Sequence, residues 1–126
     1  MSQTKNNWGR MDSLSGKWLY EEDYSYGKAK GELFLKQIGK KLIGKIIFLE
    51  NIDKSDSVMV QEFLEGEING SRILLQATEY DIIHSEEAIF YELDCWRGVL
   101  LDENTIEGES LDSQGVYGSF IFQKVP

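Results

Sequence analysis

Residues 31–37 read GELFLKQ, 38–41 read IGKK and 42–50 read LIGKIIFLE, and this stretch decides the fold. Two short runs of alternating character flank a turn built on Gly39, and a polar stretch from Asp53 to Asp56 follows. Period-two runs of this length between turn formers are the signature of an antiparallel meander. The same cadence continues on both sides. Strand one is expected over 17–24, strand two over 30–37, strand three over 42–50 and strand four over 57–68, with Gly66 marking a bulge or bend. Asn69-Gly70 is the strongest hairpin signal, since both turn positions of a type I′ turn need φ > 0. Strand five is expected over 72–80, a polar connection over 84–87 and strand six over 88–96, continuing toward Leu100. Strands seven and eight follow over 105–111 and 116–125.

About eight sequential strands with hairpin connections are best satisfied by closure, which removes the two exposed sheet edges. The expected class is therefore all-β, an antiparallel up-and-down β-barrel of about eight strands. A two-sheet sandwich is the competing architecture, disfavoured because no long crossover is visible. Glycines at 31, 44, 66, 98, 108 and 118 fall inside strands, where a small barrel must bend sharply. The chain reads as a polar segment over 1–13, in which Asp12 or Ser13 starts a short helical turn, and one barrel domain over 14–126.

The bulk properties narrow the function. With 13 Lys+Arg against 22 Asp+Glu, the net charge of −9 argues against nucleic acid and anionic membranes and favours a basic protein partner. The polar N-terminus has no apolar signal core, although a mature form with its leader removed would read the same way. The lone Cys95 makes no internal disulfide, reads as a small buried hydrophobe and fits a reducing compartment, so a cytoplasmic location is expected. One His and one Cys supply neither a zinc site nor a Ser-His-Asp triad, and His84 in its polar connection reads as solvent-facing. No metal, no cofactor and no enzymatic activity are expected.

Arg10 to Tyr20, with Gly16 and Trp18 at its centre, resembles the opening of calycin-type barrels, the group that includes lipocalins and avidins. The resemblance implies that Trp18 packs at the closed end of the barrel and that Lys124, on the last strand, lies across it. It departs from the group in lacking a recognisable lid helix and the avidin tryptophan pattern. It speaks for the fold over about residues 11–125 and leaves the ligand open.

Interior residues are expected from the alternation. Strand one places Trp18, Tyr20, Glu22 and Tyr24 on one side. With Leu33, Leu35, Phe48, Phe120 and Phe122, the aromatics of that side form the expected lining of a ligand site. Strand six is ambiguous. Either Phe90, Glu92, Asp94 and Trp96 face inward, making Glu92, Asp94 and Trp96 part of the site, or Ile89, Tyr91, Leu93 and Cys95 do. The second phase is favoured, because burying unpaired carboxylates is costly. Apolar residues on both faces of 46–49, 73–75 and 120–122 leave outer surface to be covered by a second copy (a homo-oligomer), by another protein, or by nothing. Three functions follow. The first is a non-enzymatic barrel holding a small, mostly apolar ligand. The second is an acidic protein-interaction module, of inhibitor or immunity type, with Glu21, Asp23, Glu65, Glu67, Glu107 and Glu109 on its outer face. An enzyme using Glu92 and Asp94 ranks last.

Overall fold

The computed structural model describes residues 14–24, 27–50, 57–84, 93–112, 115 and 117–126. They form eight strands: β1 (Gly16–Tyr24), β2 (Gly27–Ile38), β3 (Lys41–Glu50), β4 (Val58–Asn69), β5 (Arg72–His84), β6 (Asp94–Asp102), β7 (Thr105–Asp112) and β8 (Tyr117–Lys124). Each pairs antiparallel with the next, and β8 pairs back onto β1 from Trp18↔Lys124 to Tyr24↔Gly118, so the barrel is closed. The segment 1–13 lies outside the described residues. Strand five runs four residues past its expected end, through His84, and strand six is described from Asp94.

The alternation places one apolar face of every strand inside. Trp18, Leu33, Leu42, Ile46, Leu75, Ile106 and Phe122 are all at most 1% exposed and form the inner layers. One end is closed by the backbone itself. Lys40, Ser71, Asn104 and Lys17 at this end each offer a carbonyl to the next strand, accepting from Ile68, Leu100, Lys124 and Val125 at 2.8–2.9 Å. Leu14 plugs it from below, and the Trp18 indole N–H donates to the Leu14 carbonyl at 2.9 Å. Lys124 lies over the Trp18 ring with Nζ 5.8 Å from its centroid, a cation–π arrangement.

The hairpin expected at Asn69-Gly70 is present but displaced by one residue. Asn69 still pairs with Arg72, and the turn is Gly70-Ser71. Gly39-Lys40 is built alike, with glycine first at φ 63°, against 64° for Gly70. Only glycine takes this conformation without steric cost, so glycine and not asparagine fixes where the chain reverses. The bulges are also elsewhere than expected. Gly66 pairs regularly with Leu42 and Leu75, whereas the register slips between Phe63 and Leu64 and between Met59 and Val60. The extra residues are Thr78 and Ile83, both on β5. A bulge bends the strand that carries it. After Gln76↔Cys95, β5 has no further paired partner on β6 among the described residues.

Gly31 shows why glycine sits inside strands here. It stands in register between Tyr20 and Phe48, whose rings meet edge to face at 5.6 Å across it. A Cβ on Gly31 would fall 2.0 Å from the Ile47 carbonyl oxygen, which is backbone and cannot yield locally. Gly31→Ala is expected to cost about 3 kcal/mol by overpacking. Gly39→Ala, with open space around it but positive φ, is expected to cost about 1 kcal/mol. Urea unfolding of the two variants checks the difference; equal losses would contradict this account.

Candidate functional site

Exposure of the inward-facing residues rises from the closed end toward the opposite end. Trp18, Leu33 and Ile46 are fully buried, whereas Glu22, Tyr24, Glu50, Tyr80, Ile82 and Asp94 are half-buried. That opposite end is where β1–β2, β3–β4, β5–β6 and β7–β8 connect.

Below it lies an aromatic layer. The Tyr20 ring sits 5.6 Å from Phe48, 5.5 Å from Phe122 and 6.3 Å from Trp96, and Phe120 packs on Phe122 at 4.7 Å. This layer holds a polar group. Glu22 accepts three hydrogen bonds: from the Tyr20 hydroxyl at 2.5 Å and the Trp96 indole N–H at 3.1 Å on Oε1, and from the Ser110 hydroxyl at 2.5 Å on Oε2. Gly118 makes the space. A Cβ there would stand 2.3 Å from the Glu22 Oε2. Burial first, and then the Glu22 charge, hold the Tyr20 phenol well above its ordinary pKa, so it remains a donor.

The second polar group is Glu62. It points inward from β4 between Val60 and Leu64, in register with Ile46 and Tyr80, and is 0% exposed. Neither of its oxygens meets a donor in hydrogen-bond geometry among the described residues. Asp94 is nonetheless near enough to act on it. Burial, then the charge and side-chain hydrogen bonding of Asp94, with a smaller push from Glu50, raise the Glu62 pKa to about 10, against an opposing pull from the Asp94 backbone. At neutral pH Glu62 is therefore a carboxylic acid, with one O–H donor and a carbonyl acceptor, beside other carboxylates.

The expected site residues divide in two. Trp18, Leu33 and Leu35 belong to the closed-end layer. Tyr20, Phe48, Trp96, Phe120 and Phe122 form the aromatic layer, with Tyr24 and Asp94 half-buried above it. Glu92 lies outside the described residues. The favoured phase of strand six is corrected: Trp96 is 1% exposed and faces in, whereas Cys95 is half-buried on the outer side and so is not a core residue. The cost of burying a carboxylate on this face is moderated because Asp94 stands at the half-exposed end of β6. Glu62 carries that cost instead, by keeping its proton. It escaped sequence reasoning, although its place between Val60 and Leu64 at two-residue spacing was the signal that could have found it.

No family model and no curated protein matches the sequence. Solved structures do. The chain is similar to the redesigned β-barrel mFAP1, solved bound to DFHBI, with TM-score 0.63 and 9% identity over 88% of this chain and 94% of that one. It is also similar to a de novo designed fluorescence-activating β-barrel, with TM-score 0.56 and 15% identity over 89% of this chain and 94% of that one. At these identities the likeness establishes the fold alone: an all-β, closed, eight-stranded up-and-down barrel.

A carboxyl whose folded pKa exceeds its unfolded value stabilises the fold fully below the unfolded pKa and loses that contribution as pH rises toward the folded one. For Glu62 the window runs from the ordinary glutamate value of 4.5 up to about 10. Glu62→Gln, which is neutral at every pH, is expected to unfold at similar urea concentration to wild type at about pH 4.5. At about pH 9 it is expected to be more stable than wild type by several kcal/mol, the gap opening by about 1.4 kcal/mol for each pH unit above 4.5. Parallel stability–pH curves for the two proteins would contradict the assignment.

Proposed function

We propose that this protein is a non-enzymatic binding protein whose barrel takes a small, mostly apolar molecule through its half-exposed end. The observation that carries this reading is Glu62, a fully buried side chain with both oxygens lacking a donor among the described residues, beside an aromatic layer. An unpaired buried polar group costs about 1–3 kcal/mol, and a bound molecule or an ordered water is among the partners that offset that cost. Mostly apolar walls with a few placed polar groups are the usual composition of small-molecule sites. The Gly16-x-Trp18 opening with Lys124 over the indole supports a calycin-like reading of the barrel. Binding is preferred to catalysis because Glu22 spends its lone pairs on three donors and Glu62 holds its proton.

The acidic protein-interaction module is the weaker reading. Glu21, Asp23, Glu65, Glu67, Glu107 and Glu109 all point outward, as it requires. Four of them stand in register across from a cation, however: Glu21 from Lys30, Asp23 from Lys28, Glu67 from Lys41 and Glu109 from Arg97. Interleaved signs give a weaker field toward a basic partner than a face of one sign.

Native mass spectrometry of the protein purified from its source tests the proposal. A mass excess that is lost on denaturation, together with a change in tryptophan fluorescence when the ligand is restored, is expected. A bare chain mass, combined with no thermal shift from any member of a broad panel of amphiphilic small molecules, would overturn it.

A further inference from the structure

The outer face of β2–β5 carries a pattern that the interior site leaves unused. Phe34 of β2, Ile43, Ile47 and Leu49 of β3, and Met59 and Phe63 of β4 all point outward, with Ile43 46% and Phe63 43% exposed. Register makes them one apolar band: Phe34 and Phe63 flank Lys45 in one row, and Leu49 stands beside Met59 in another. Charge is sorted across this band. Lys28, Lys30, Lys36, Lys41 and Lys45 stand exposed on β2 and β3, where Glu32 is bound to Lys17 at 2.9 Å. On the other side of the band, Glu65, Glu67, Glu79 and Asp81 stand exposed on β4 and β5. With Glu32 counted, the five lysines and five acids cancel, so this face is neutral as a whole and the rest of the chain carries the net charge of −9.

We propose that this face binds a second copy of the chain, in a symmetric dimer whose two-fold axis runs along the line between β3 and β4. Such an axis lays the lysine half of each copy on the glutamate half of the other and closes the two apolar bands on one another. The charges select this occupant. A uniformly basic partner is repelled by the lysine half, and a uniformly acidic one by the glutamate half. A second copy carries the matching split surface by construction. Over the rest of their surface two copies meet as like-charged bodies, so the neutral face is where they can approach. Size sets the strength. Four strands about 4.8 Å apart, each about nine residues long at about 3.4 Å per residue, present on the order of 600 Å² per copy. The pair then buries about 1,200 Å², the lower limit of specific interfaces, so the dimer dissociates on dilution.

Sedimentation velocity of the full chain, from about 1 μM to about 500 μM, is expected to show monomer passing to dimer and no larger species. Charge reversal then identifies the face. Lys36→Glu with Lys45→Glu makes both halves acidic, and Glu65→Lys with Glu79→Lys makes both basic. Each double variant is expected to self-associate at least about tenfold more weakly than wild type. Mixed one to one, the two variants complement each other in both halves, and association is expected to return to within about threefold of wild type. Each variant shifts the net charge of −9 by four, so both stay acidic and bulk attraction cannot produce that recovery. Phe63→Ser, at the centre of the apolar band, is expected to weaken the dimer about tenfold as well. Near-UV circular dichroism checks that every variant is folded. A wild-type chain that stays monomeric throughout would overturn the proposal, as would a charge-reversed variant that dimerises like wild type. A mixture that fails to associate, or a monomeric chain that holds a different protein on this face, would overturn it equally.

Discussion

The seam along which β8 returns to β1 sets everything inside this barrel. Its register puts Lys124 beside Trp18, Phe122 beside Tyr20 and Gly118 beside Tyr24. Each pairing has a consequence at a different depth: the closed end is capped, the aromatic layer is completed, and a glycine vacates the volume that the Glu22 carboxylate fills. A slip of one residue would turn every one of these side chains to the other face. The seam also removes the two edges that a flat eight-stranded meander would expose.

Above the aromatic layer the wall is built less regularly, and the irregularity is concentrated on β5. Thr78 and Ile83 are extra residues relative to β4, and pairing with β6 stops at Gln76 among the described residues. The bend lies beside Glu62, whose in-register neighbour on β5 is Tyr80. The closed end shows the opposite habit, with each turn carbonyl bound to the next strand. One end is thus stitched shut by backbone hydrogen bonds, and the polar chemistry is gathered toward the other.

Much of this was legible locally. Alternation along 17–24 named Trp18, Tyr20, Glu22 and Tyr24 as one face, and the resemblance of the Gly16-x-Trp18 opening to calycin-type barrels implied Lys124 as the residue above the indole. Less visible was how the fold handles charge. The phase of strand six was judged by the cost of burying carboxylates. That cost is real, but Asp94 meets it with partial exposure and Glu62 meets it with a proton. Nothing local distinguishes Glu62 from Glu65 or Glu67 on the same strand except its phase with Val60 and Leu64. Asn69 likewise looked like a turn residue, yet it stays in the ladder opposite Arg72, and Gly70 takes the positive φ of the turn.

The sequence by itself determined that there are about eight strands, where most of them begin and end, and which side chains share a face. The reason is that a period of two is a property of consecutive residues. Only the tertiary structure decided which face of strand six looks inward and which carboxyls meet. Those choices depend on closure, which sets Glu22 against Trp96 and Ser110, 74 and 88 residues further along the chain. It also brings Asp94 within electrostatic reach of Glu62. The protonation of Glu62, and with it the chemistry of the site, is a product of that enclosure.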